Sequence, residues 1–130
     1  MKRFAMAVCV ALCVAGAAGA DPIEGVWRTL SDDAGHYGYV RFAPCGARIC
    51  GTLIKTFAGE GKEAITSLVG RKVIWDMEAK GGGAYGGGKI WSYEEDRVYD
   101  SRLRLHGAAL EISGCMVFVC QTVGDWIRVQ

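Results

Sequence analysis

From Arg97 to Leu105 the chain reads RVYDSRLRL, and this stretch restricts the fold more than any other. Tyr99, Ser101, Leu103 and Leu105 share one parity, and Asp100, Arg102 and Arg104 share the other. A period of two marks a half-buried strand, because successive side chains on extended backbone point to opposite faces. Similar short segments lie at 25–30, 37–43, 50–57, 72–77, 89–93 and 109–113, and two more close the chain. In 72–77 the period places Val73, Trp75 and Met77 on one face and Asp76 on the other. The only helical candidate is 61–70, where Ile65, Leu68 and Val69 fall at i, i+3 and i+4 and Gly70 can end the turn. The expectation is an all-β fold with about eight strands and at most one short helix. Its architecture is a small closed or nearly closed antiparallel up-and-down barrel.

The N-terminus sets the address. Lys2 and Arg3 precede an apolar run from Phe4 to Val14, followed by the small residues Ala18-Gly19-Ala20. This order of charge, apolar core and small residues is that of a cleaved export signal, and the run is well short of the roughly 20 residues that span a bilayer. Residues 1–20 are therefore read as a signal peptide and 21–130 as one domain, exported to the periplasm or beyond. The mature chain has no transmembrane segment. The full chain carries 15 basic and 14 acidic residues. Losing Lys2 and Arg3 leaves a slight acidic excess, which argues against nucleic acid as a partner.

Cleavage also removes Cys9 and Cys13, leaving Cys45, Cys50, Cys115 and Cys120 in two C-x4-C pairs. In a reducing compartment such pairs suit a tetrahedral zinc site, whereas an exported protein meets oxidising conditions that favour disulfides. Four cysteines allow three pairings. The local one, Cys45–Cys50 and Cys115–Cys120, suits cysteines facing each other across a hairpin, and two long-range bridges are its rival.

Gly25-x-Trp27 opens the first strand, and Trp126-x-Arg128 ends the last. If the sheet closes, these strands become neighbours and Arg128 can stack on Trp27, sealing one end. Gly25 leaves room for the indole. The plainer alternative is that Trp27 and Trp126 are ordinary core aromatics. Together with DPIxGxWRT at 21–29, CGARICG at 45–51, GGGKIWSYEEDRVYDSRLRL at 86–105, LEISGC at 110–115 and WIR at 126–128, these features resemble the DUF2147 family of small exported bacterial proteins. The Gly-x-Trp start and terminal Arg are also similar to lipocalins and other calycins, closed barrels that often hold a small ligand. The DUF2147 resemblance implies a fold and an address but no reaction. Two places depart from the family pattern. The turn Ser92–Arg97 lacks Pro and Gly, and the segment before Gly70 is short.

Catalytic signals are weak. GGGAYG at 81–86 matches a phosphate-loop spacing, but a strand and not a helix follows it. The glycines suit a mobile hairpin loop at the rim opposite the seal. Asp32, Asp33 and His36 suit a polar turn, and His106 beside Gly107 a solvated one. No catalytic residue, metal or cofactor is assigned. The aromatics Tyr39, Tyr85, Trp91 and Tyr99 are the candidate ligand-binding set. Two functions follow. The first is binding of a small, mostly apolar molecule. The second is a non-catalytic interaction module of the cell envelope, with a filled barrel and a protein partner.

Overall fold

The computed structural model of the chain describes residues 20–130. The proposed leader lies outside the described residues except for Ala20. Among the described residues nine strands form: β1 (Gly25–Arg28), β2 (Tyr37–Cys45), β3 (Arg48–Phe57), β4 (Glu63–Ala64), β5 (Lys72–Gly81), β6 (Ala84–Ser92), β7 (Arg97–His106), β8 (Ala109–Met116) and β9 (Val119–Arg128). All pairings are antiparallel. Eight of the strands close on themselves in the order β1-β2-β3-β5-β6-β7-β8-β9, while β4 adds only to β3. The result is a closed up-and-down barrel.

Closure follows from the alternating pattern, because a sheet with one apolar face buries it by curling around it. Val40 and Phe42 from β2, Leu103 from β7, Leu110 and Ile112 from β8 and Trp27 from β1 point inward and are 2% exposed or less. Asp100, Arg102 and Arg104 face solvent, as the period in β7 requires.

Three local expectations are corrected. Segment 61–70 forms no helix. A single 3-10 turn occupies Gly59–Gly61, and Glu63–Ala64 pairs with Thr56–Phe57 instead. The Thr56 hydroxyl donates to the Ala64 carbonyl at 2.6 Å, and of the apolar stripe a helix would bury only Leu68 packs on the core, while Ile65 is fully exposed. In β5 the alternation breaks at Asp76, whose φ is 55°. Ile74 and Met77, three apart, are both fully buried, and Trp75 is only half-buried. The glycine stretch is mostly strand. Only Gly82 and Gly83 form the turn, and β6 begins at Ala84. Gly88 lies where the irregular part of β5 crowds β6. A Cβ there would sit 2.4 Å from the Trp75 carbonyl oxygen and 2.8 Å from Met77 Sδ.

The barrel has two distinct ends. One gathers the turns β2–β3, β5–β6 and β7–β8 and both terminal segments. The other gathers the long β1–β2 and β3–β5 connections and the turns β6–β7 and β8–β9.

Candidate functional site

The first end is shut. Trp27 is fully buried and its Nε1 donates to the Ile23 carbonyl at 2.8 Å, drawing the segment before β1 across the opening. The Arg128 guanidinium lies 4.3 Å from the centroid of the Trp27 ring. It also donates to the carbonyls of Glu24, at 3.0 Å, and Pro22. One arginine thus stacks on the indole and satisfies carbonyls of the covering segment, an arrangement only the forked guanidinium provides. Gly25 has a φ of 130°, and a Cβ there would lie 2.3 Å from the Gln130 carbonyl oxygen. The Val26 N–H donates to that oxygen at 2.9 Å. Trp126 is buried on the same inner face, tilted against Phe42.

Tyr85 belongs to this end as well. It is buried, and its hydroxyl donates to the Asp21 carboxylate. Burial first, and then the Asp21 hydrogen bond and charge, hold the phenol well above its ordinary range. The turn after β5 therefore lies at the sealed rim and not opposite it, and Tyr85 secures the plug. The parity of an up-and-down barrel carried this signal. β6 is the fifth barrel strand, and odd-numbered strands all start at the end where β1 starts.

The second end is built differently. Trp91 is nearly buried, with the Arg71 guanidinium 3.5 Å from its ring centroid and Tyr93 edge-on at 6.0 Å. Its Nε1 donates to Asp96 Oδ1 at 2.9 Å. Tyr99 faces inward beside Ile90, and both are only half-buried. The Tyr99 hydroxyl donates to Glu95, and that bond raises the phenol above its ordinary range. Leu30 reaches from the β1–β2 connection onto the bare face of Gly124. Sequence reasoning missed Arg71, because its stacking depends on the fold of the long β3–β5 connection.

The four proposed ligand residues are not gathered in one pocket. Trp91 and Tyr99 lie on adjacent strands at the second end, while Tyr85 is at the sealed end. Tyr39 faces outward, because Val40 and Phe42 face in. It packs with Tyr37 and Phe57 in an outer cluster, its ring centroid 4.7 Å from that of Phe57. Asp32 and His36 organise their own loop. The Asp32 carboxylate accepts N–H bonds from Ala34 and His36 at 2.9 and 2.8 Å and meets His36 Nδ1 at 3.0 Å. The backbone bond from His36, above all, holds Asp32 below its ordinary pKa. Both hairpins carry local disulfides, Cys45–Cys50 and Cys115–Cys120. Among the described residues, no cluster of His, Cys, Asp or Glu has the makings of a metal site. No helix there is long and apolar enough to cross a membrane.

A closed eight-strand barrel with one end stoppered by a tryptophan–arginine stack is a lipocalin-like architecture. The solved structure of "Protein HP1028 from the human pathogen Helicobacter pylori", described as belonging to the lipocalin family, is similar to it. The TM-score is 0.64 at 16% identity, over 83% of each chain. A family model described as "Uncharacterized protein conserved in bacteria (DUF2147)" matches residues 25–128, and the chain belongs to that family. No curated protein matches it.

Proposed function

We propose that this protein is an exported, non-catalytic binding barrel that takes a small, mostly apolar molecule at its loop-bearing end. One observation carries the reading. The two ends are unequal, with one stoppered and the other carrying half-buried Tyr99 and Ile90 and, at the neighbouring position of β6, an Arg71–Trp91 stack. The middle of the barrel is filled by side chains such as Phe42, Ile74 and Met77, which are at most 1% exposed. A ligand would therefore sit shallowly and displace Arg71 from the indole. A flat apolar molecule can replace that stacking, and the freed guanidinium is easily solvated at the rim. Export rests on the leader sequence, and the two disulfides suit an oxidising compartment.

The filled middle of the barrel favours a second reading, an interaction module of the cell envelope. Its candidate surface is the β8–β9 hairpin tip, where Val117 and Phe118 are 84% and 97% exposed.

A screen of fatty acids, quinones and aromatic metabolites against the mature chain tests the first reading. Saturable binding should change tryptophan fluorescence, and Trp91→Phe should remove that response while Arg71→Ala alters affinity. Absence of saturable binding across the screen would sink the small-molecule reading and leave the hairpin surface as the functional one.

A further inference from the structure

We propose that the outer wall of the barrel carries a separate binding groove for an anionic amphiphile, meaning one oxyanion head with a short apolar tail. Two depressions adjoin on this wall, of about 490 and 390 Å³, each within the usual range of small-ligand sites. They share Gly87, Arg102 and Cys120 and so form one continuous groove across β6 to β9. Its chemistry changes along its length. At the hairpin end it is walled by Val117, Phe118 and the Cys115–Cys120 disulfide. Towards the middle it is walled by Arg102, Ser113 and Thr122.

Register lines up the polar part. Arg102 pairs with Ser113, and Ser113 pairs with Thr122, so a guanidinium and two hydroxyls stand side by side on one face. The two hydroxyl oxygens are 3.5 Å apart. The other charges on this wall are largely matched. Lys89 engages Asp100, Lys80 engages Glu78, and Arg104 lies opposite Glu111. Among the described residues, no carboxylate lies within ion-pair distance of Arg102. Arg102 lines both depressions and, unlike Arg104, has a hydroxyl residue and not a carboxylate opposite it on β8, so it is the cation placed for a ligand, flanked by two donors that turn towards an oxyanion at no charge cost. The apolar tail then runs to Phe118. This site is distinct from the loop-bearing mouth proposed above.

The test is an amide NMR titration of the mature protein with octanoate, octyl phosphate and octyl glucoside, each below its micelle concentration. Octanoate and octyl phosphate share the required chemistry, and their relative affinity distinguishes a carboxylate from a phosphate head. Saturable shifts are expected at Arg102, Ser113, Thr122 and Phe118, with octyl glucoside binding at least about tenfold more weakly. Arg102→Gln should weaken the anions by about tenfold, Arg102→Lys should retain part of the affinity, and Phe118→Ser should weaken all tailed ligands. Arg41→Gln, an exposed change on β2, should alter nothing. Equal binding of octyl glucoside, or anion affinity indifferent to Arg102→Gln, would overturn the proposal. So would shifts centred on Trp91 and Tyr99, although they would support the mouth; shifts confined to the outer wall would do the reverse.

Discussion

The two C-x4-C hairpins share a spacing and sit at opposite ends of the barrel, but they are built on different terms. In the first, the turn is Gly46-Ala47 and Cys45 pairs with Arg48, so the cysteines are offset along the ladder. In the second, the turn is Val117-Phe118 and Cys115 pairs directly with Cys120. Both turns place their first residue in the left-handed region, Gly46 at a φ of 64° and Val117 at 53°. Glycine adopts that conformation freely, whereas a β-branched residue resists it. The first hairpin is an unstrained turn in the sealed end. The second holds a strained, wholly apolar tip out in solvent. Identical cysteine spacing thus fixes the loop size but neither the register nor the purpose. Strain and exposure gathered at one tip are features of a working surface.

The largest expected effect tests the sealed end. Gly25→Val forces a side chain against the Gln130 carbonyl at a φ valine resists, and should destabilise the fold by about 3 kcal/mol or more in denaturant melts. Arg128→Ala should cost about 1–3 kcal/mol through lost stacking and orphaned carbonyls, against no more than about 0.5 kcal/mol for Arg104→Ala. Equal losses would make Arg128 an ordinary surface charge. Exchanging the turn residues sharpens the comparison. Gly46→Val should destabilise and Val117→Gly should stabilise, each by about 1 kcal/mol. A destabilising Val117→Gly would show that the second tip is not strained.

Alkaline titration tests the sealed end next. The Tyr85 phenol is raised in the folded state, so folding is favoured while it stays protonated. Its contribution is complete below the ordinary tyrosine value of 10.0 and is lost as pH rises beyond it. Thermal melts should show stability falling above about pH 10, and Tyr85→Phe should flatten that decline. The smallest effect belongs to the second tip. Phe118→Ser should change stability by no more than about 0.5 kcal/mol, because the ring is almost fully exposed. A larger loss would mean that the ring packs within the barrel after all.

The barrel was legible because alternation is a local signal, clearest in β7, where Ser101 and Leu103 are buried and Asp100, Arg102 and Arg104 are exposed. The closure of β1 on β9 was legible for a related reason. Trp27 and Arg128 are a chemical pair whose partnership only a closed sheet allows. What sequence alone missed is set by neighbours across the sheet. Asp76 turns left-handed beside the close approach of Gly88, and nothing within KVIWDM announces it. Tyr39 reads as one more aromatic until the buried partners on either side of it, Gly38 and Val40, fix its face as outward. The glycines beside Tyr85 suggest an open rim, whereas the strand order puts Tyr85 at the sealed one. Arg71 has no local mark, since its role arises from how a long connection folds back.

The plug before β1 is tied to the last strand of the barrel. Arg128 reaches the carbonyls of Pro22 and Glu24, 106 and 104 positions away. A chain synthesised N-terminus first presents Asp21–Glu24 long before their partners are made. The stopper is therefore the last part of the barrel that can be set. Until then Trp27 and Ile23 have no cover. The ordering gives the protein a built-in check on its last strand, since a product that stops before Arg128 lacks the guanidinium that holds the stopper and offers proteases an open barrel.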